Sequence, residues 1–347
     1  MSTALALVGL NGAVAAITAA GAVYFTRVRM PRPPVGKYEL PDVAVMTAVV
    51  VAAPLAYLAM PRTLVAVVFG LVLCAALQFT LAPLTGGGRA WLASVVSVAA
   101  TAVCAFADLP VAVTALTDVL LAVAVVGVAN MWAQSGMRSV HAAWFAGALC
   151  CYDLVATGLT SVMDRFAAQV MGLPFAPLLA VTQGRPPVAL GLGDLLLLVL
   201  FPLVALKAFG WAAGLLAAGV GLAVSAGVSL LFGLGVLTGA FPLLTALGPL
   251  IVLQHVLWSR ARSGERTTAE WRAGTPRPAA DTPTDPDPAL LQALEPAGVD
   301  ALRADLSPGD WLAVVDGRAV GSGKSAGQAR RDARLRGCAS VPVVRQH

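Results

Sequence analysis

The stretch Val188-Ala189-Leu190-Gly191-Leu192-Gly193-Asp194-Leu195-Leu196-Leu197-Leu198-Val199-Leu200-Phe201-Pro202-Leu203-Val204-Ala205-Leu206-Lys207 decides the fold. It is almost wholly apolar, with one acid near its start and one base at its end. A helix rises 1.5 Å per residue, so about 20 residues cross the ~30 Å hydrocarbon core of a bilayer. Backbone groups in lipid have no water to bond, which leaves a helix as the form such a run takes. The stretch therefore reads as a transmembrane helix that carries Asp194 inside it.

Outward from this run, the same ruler gives eight more spans and nine in total: 3–25, 43–60, 63–84, 91–108, 112–132, 139–160, 188–207, 209–232 and 241–258. Composition agrees. The 347 residues are 58% hydrophobic and 12% charged, against about a quarter charged in soluble domains, which excludes an ordinary globular protein, a disordered chain and a fibre. Residues 1–258 hold ten Lys/Arg and seven Asp/Glu, whereas the much shorter 259–347 holds thirteen and eleven. The reading is an all-α polytopic membrane domain over 1–258, a flexible linker over 259–297 and a small soluble α+β domain over 298–347. The net charge of +5 is loop charge that sets topology, not a nucleic-acid signal.

Loop Lys and Arg orient the spans. One side of the membrane collects Arg27, Arg29, Arg32, Lys37, Arg89, Arg138, Lys207, Arg260 and Arg262, and the other collects Arg62, Arg165 and Arg185. The richer side is the cytoplasmic one, so the N-terminus is expected outside and the tail inside. The first apolar stretch has its arginines after it, as in a retained signal-anchor helix. Cys74, Cys104, Cys150, Cys151 and Cys338 show neither a disulfide framework nor metal-ligand spacing. His141 and His255 lie near inner helix ends without a ligand partner motif, so no metal is expected.

An ionisable side chain in a span costs roughly 2.5–3.5 kcal/mol on insertion scales and marks a functional candidate. Asp153 lies in span six and Asp194 in span seven. Counted from the outer span ends, both sit about 10 Å below one surface, and consecutive antiparallel helices would bring them face to face. Such a pair is an aspartic dyad: two like charges in a desolvated site do not both ionise cheaply, so one carboxyl keeps its proton. The ionised partner takes a proton from water as the water attacks a peptide carbonyl, and the protonated one hydrogen-bonds the carbonyl oxygen. Gly191 and Gly193 remove side chains where a substrate backbone or a facing helix comes close. The competing reading is small-residue helix packing with each acid separately hydrogen-bonded, in a chain with 34 glycines.

Tyr152-Asp153 in a sixth span and Gly191-Leu192-Gly193-Asp194 in a seventh resemble the presenilin and signal peptide peptidase family of GxGD intramembrane aspartyl proteases. The resemblance covers roughly residues 1–258. It implies nine spans, Asp153 and Asp194 as catalytic residues, no cofactor, and transmembrane peptides within the lipid bilayer as substrates. It also implies a substrate-binding Pro-Ala-Leu motif in the ninth span, where this chain reads Thr245-Ala246-Leu247, with threonine in the place of proline. The connection 161–187, in the family, adds a strand to the peptide being cut. Here Pro174 and Pro177 argue against a long regular strand, and a covering lid is the alternative. An outside N-terminus matches the signal peptide peptidase branch and implies substrates with inward N-termini, such as signal-peptide remnants. A prepilin-peptidase-like protease shares the G-x-G-D string but lacks the match at Tyr152 and at Ala246-Leu247. A proton-coupled transporter would carry internal repeats between its halves, and none is present.

Among other polar residues, Asp118 is expected to be an N-cap of span five, the alternative being a neighbour that tunes the dyad. Asn130 and Gln134 are expected at the inner interface. In the tail, Trp311–Val315, the Asp316-Gly317 turn and Arg318–Gly323 read as a hairpin. Ser325–Arg336 reads as a helix and Val341–Arg345 as a last strand, giving the order ββαβ. Gly321-Ser322-Gly323-Lys324-Ser325 has the sound of a phosphate loop, but the glycine that spacing requires is Arg318.

Overall fold

The computed structural model describes residues 3–31, 40–180, 189–237, 241–262, 264–273, 310–315, 318–324, 328–329, 332–333 and 343–346. They fall into two compact units, Met1–Arg277 and Pro278–His347. Among the described residues, nine helices are long and apolar enough to cross a bilayer. They are α1 (Thr3–Arg27), α2 (Leu40–Leu58), α3 (Arg62–Thr85), α4 (Gly87–Phe106), α5 (Pro110–Gln134), α6 (Ser139–Asp153, continued by a π-helical turn, Leu154–Leu159), α8 (Leu192–Phe209), α9 (Trp211–Gly233) and α10 (Leu243–Ala261). Short elements complete the unit: α7 (Val162–Val170), β1 (Leu178–Ala180), β2 (Ala189–Gly191) and α11 (Thr268–Ala273). The chain is thus a multi-pass membrane protein by its helices. The expected spans agree with these helices to within a few residues, except that span seven starts at Leu192 and not at 188.

The helix quoted at the outset, α8, is apolar on every face and is accordingly enclosed on every face, with Leu197, Val199, Leu200 and Val204 wholly buried. One core cluster joins it to α1, α5, α6 and α10. Helices α2, α3, α4 and α9 turn many apolar side chains outward, among them Val49, Leu71, Leu92 and Leu215. That is the surface a bilayer would cover.

Polar side chains lock the core helices where they meet. Asn130 Nδ2 donates to the Gly21 carbonyl at 3.1 Å. Gln134 accepts from the Met30 N–H at 3.0 Å and donates to the Val28 carbonyl at 3.0 Å. Both are buried within the protein, where they fasten the end of α5 to α1 and to the residues just after it. Lys207 differs from expectation. It is not a loop charge but lies buried in the last turn of α8, where its ammonium donates to the Ala133 carbonyl at 2.7 Å and to the Met137 carbonyl. It thereby satisfies carbonyls left open at the C-terminal end of α5.

Residues 264–273 fall in the expected linker, yet they are built onto the membrane helices. Glu265 pairs with Arg138 at 2.7 Å and accepts the Ser139 N–H at 2.7 Å. Arg266 donates to the Leu206 and Lys207 carbonyls at 3.1 Å, and Arg272 to the Gln134 carbonyl at 3.2 Å. Trp271 stacks on Phe25 with ring centroids 4.5 Å apart.

In the second unit, β3 (Trp311–Val315), β4 (Arg318–Gly323) and β5 (Val343–Gln346) form an antiparallel sheet of order β4-β3-β5. Residues 328–329 and 332–333, between β4 and β5, are helical. The expected Asp316-Gly317 turn and the helix ends at Ser325 and Arg336 lie outside the described residues. The Ser322 N–H donates to Asp332 at 3.0 Å and the Lys324 N–H to Gln328 at 3.0 Å. These two backbone donors are therefore committed to side chains of the chain itself.

Candidate active site

Helix α6 stops being α-helical at Asp153, and the wide π turn starts at the next residue. Such turns concentrate at functional sites. The Asp153 side chain is buried and both of its oxygens are engaged. Thr157 donates to Oδ1 at 2.9 Å, and the Leu244 N–H donates to Oδ2 at 3.1 Å. Leu244 lies in the first turn of α10, whose N-cap residue, Pro242, offers no side-chain bond. Asp153 thus satisfies from across the interface one of the N–H groups that α10 leaves open, at the positive end of its dipole.

The close approach of α6 and α10 rests on Gly248. A Cβ there would fall 2.6 Å from the Cys150 Cβ and 2.9 Å from the Ala146 carbonyl. One turn of α10 earlier lie Thr245, Ala246 and Leu247, so the segment resembling the family's third motif meets the helix that bears Asp153. The hydroxyls of Tyr152 and Thr245 are both buried without a hydrogen-bond partner among the described residues. Each is one residue from an end of the Asp153–Leu244 bond.

Asp194 reaches the same place from α8. It is the third residue of that helix, after N-cap Gly191 and first-turn residues Leu192 and Gly193, and it is half-buried. Its carboxylate folds back to accept the Gly191 N–H, the reciprocal half of a capping box. A Cβ on Gly191 would stand 3.1 Å from Asp194 Oδ2, whereas one on Gly193 would meet nothing within 4 Å. No helix presses on Gly193, so the close-packing reading does not apply to it. Asp194 interacts electrostatically with Asp153. The depth arithmetic that paired the two acids assumed helix from residue 188, but residues 189–191 are extended. Lateral packing of α6 against α8 brings them together instead.

The described part of the connection between the acids is held at several points from Gln169 to Ala180. Arg62 donates to the Met171 carbonyl at 2.8 Å, and Gln169 to the Met60 carbonyl at 2.9 Å. Phe175, buried against α3 and α5 with φ +65°, donates its N–H to Thr117 at 3.2 Å. Asp118 accepts the Ala180 N–H at 3.0 Å. The N-cap reading of Asp118 is therefore corrected: α5 starts at Pro110, and Asp118 is a mid-helix side chain that holds β1. Strands β1 and β2 pair antiparallel, with Leu179 opposite Leu190 and Ala180 opposite Ala189. Because Leu192 donates to the Pro177 carbonyl, pairs 177/192 and 179/190 bond across the ladder, and residues 178, 180, 189 and 191 face outward. On β1 that outer edge is taken by Asp118. On β2 the outward Gly191 N–H is taken by Asp194, and the outward groups that remain are those of Ala189.

Among the described residues no three His, Cys, Asp or Glu side chains converge as metal ligands would. His255 Nδ1 lies 2.6 Å from Ser139 Oγ, away from the acids on the far end of α6. No protein-family model matches the chain, and no curated protein and no solved structure is significantly similar to it. Fold and site together define a polytopic membrane protein with acids on two helices, α6 and α8, that pack against each other.

Proposed function

We propose that the chain is a GxGD-type intramembrane aspartyl protease that hydrolyses peptide bonds within transmembrane segments, with Asp153 and Asp194 as its dyad. The observation that carries this reading is that the two acids stand on helices packed against each other, Asp153 at the end of α6 beside the start of α10 and Asp194 in the first turn of α8. Two buried hydroxyls without partners, Tyr152 and Thr245, adjoin them and suit a polar guest such as a peptide backbone. The outward edge of β2 suits the same guest, since an extended peptide paired there would run beside Asp194.

In the reaction one carboxylate accepts a proton from water while the water oxygen bonds to the scissile carbonyl carbon. The protonated carboxyl donates to the carbonyl oxygen, giving a tetrahedral gem-diol. Collapse of that diol breaks the C–N bond, and a carboxyl proton leaves with the amine. The two acids titrate as one unit, so neither role belongs to one residue alone. The membrane-facing scaffold supplies the low-dielectric surroundings, and no cofactor enters.

The topology that accompanies this reading has an outer N-terminus and a cytoplasmic tail. With Lys207 removed from the loop count, eight loop bases against three still favour it. Substrates would then be segments with inward N-termini, such as signal-peptide remnants. The purified full chain incubated with a model transmembrane peptide should give defined products by mass spectrometry. Asp153→Ala and Asp194→Ala should each abolish them, and cleavage surviving either substitution removes the dyad.

A further inference from the structure

Threonine in a helix ordinarily turns its hydroxyl back onto the carbonyl four residues earlier. This chain does so repeatedly: Thr18 bonds the Val14 carbonyl, Thr47 that of Val43, Thr80 that of Ala76, Thr101 that of Ser97 and Thr160 that of Ala156. Thr157 departs from this habit. Its hydroxyl passes over the backbone of residue 153 and donates to the side-chain Oδ1 of Asp153 at 2.9 Å. It does so from inside the π turn Leu154–Leu159, where carbonyls are bonded from five residues on and the helix is locally widened. The turn and the unusual bond occur together, directly after the acid.

We propose that Thr157 is the positioning residue for Asp153. The Leu244 N–H fixes one carboxylate oxygen from α10 and Thr157 fixes the other from the same helix. The plane of the carboxylate is thereby set before substrate arrives, which is the kind of preorganisation on which transition-state geometry depends. With the hydroxyl removed, Asp153 keeps one anchor and can swing about it. Thr157 is half-buried and touches the reaction only through Asp153, so its loss acts on turnover more than on substrate binding. This inference rests on the dyad reading.

The full chain in detergent, with Thr157→Val, Thr157→Ser and Asp153→Ala, separates the two. Valine preserves the shape and β-branching, so the fold should hold. Thr157→Val should lower kcat on the order of tenfold with KM within about twofold, by analogy with small displacements of reacting groups. Thr157→Ser should restore kcat to near the unsubstituted value. Infrared spectroscopy gives a readout independent of activity. The Asp153 carboxyl bands, isolated as the difference from Asp153→Asn, should shift in Thr157→Val and return in Thr157→Ser. An unshifted band, an unchanged kcat in Thr157→Val, or failure of serine to rescue overturns the positioning role. A shifted band in a chain that does not cleave, or whose Asp153→Ala variant still cleaves, leaves the hydrogen bond standing and overturns the protease reading instead.

Discussion

At the scale of single residues, Gly191 and Gly193 look alike in the string G-x-G-D and differ in the folded chain. Gly191 is the N-cap of α8, and any Cβ there would crowd Asp194 Oδ2 at 3.1 Å. Gly193 faces open space. Gly191→Ala is therefore expected to displace the Asp194 carboxylate and lower kcat by about tenfold or more. Gly193→Ala should leave the fold intact, even firmer by up to about 1 kcal/mol from helix propensity, and raise KM if substrate passes over that face. Peptide-cleavage kinetics on the two variants, with thermal melts beside them, check the contrast; equal effects on kcat would contradict it. The acids themselves were legible in the sequence because an ionisable group in an apolar run is conspicuous. Thr157 was not, because threonine is common in these helices and its hydroxyl takes an unusual direction only in the π turn. Nor was the role of Asp118, whose partner, the Ala180 N–H, lies 62 residues away and carries no side-chain signature.

At the scale of elements, the connection between α6 and α8 decides how Asp194 is presented. Sequence reading located the nine spans because length and hydropathy dictate them. It placed the start of α8 too early, because Ala189-Leu190-Gly191 is as apolar as the helix it precedes. Hydropathy does not distinguish a buried strand from a buried helix in so short a run. The anchoring of β1 by Asp118 yields a test. Asp118→Ala leaves the half-buried Ala180 N–H without its acceptor, a cost of about 1 kcal/mol, and should loosen the strand pair and lower kcat/KM about tenfold. Asp118→Asn keeps a carbonyl oxygen in place and should retain most activity. The outward-facing Ala189 of β2 yields another. Ala189 directs its N–H away from β1, so Ala189→Pro removes a donor the fold does not use across the ladder, a position where a strand tolerates proline. KM for the transmembrane peptide should rise several-fold with the melting temperature little changed; an unchanged KM would show that substrate does not pair there.

At the scale of the whole molecule, the charge contrast between residues 1–258 and 259–347 drew the boundary of the membrane domain at Trp258, but contacts carry that unit through Arg277. Composition marks 264–273 as polar and hence linker-like. It does not reveal that the arginines there are spent on helix-end carbonyls. Arg266 and Arg272 take the Leu206, Lys207 and Gln134 carbonyls, and Thr268 accepts a third bond from the buried Lys207 at 3.3 Å. Trp271 covers Phe25. In the Arg138–Glu265 pair the guanidinium is 62% exposed and the carboxylate 7%; solvent screens the guanidinium, so the larger part of what Glu265 contributes is its bond to the Ser139 N–H at the start of α6. The charged donors to otherwise open carbonyls, with the aromatic stack, sum after ordering costs to a strap worth about 3 kcal/mol. Two truncations separate strap from tail. A chain ending at Arg277 keeps every one of these bonds and should melt and cleave as the full chain does. A chain ending at Arg262 loses them all and should melt lower by roughly 5–10 °C, because the ends of α5 and α8 and the start of α6 then hold together through Lys207 and the helix packing alone. Melting both in the same detergent decides the matter: coincident curves would mean that 264–273 rests on the membrane domain without stabilising it.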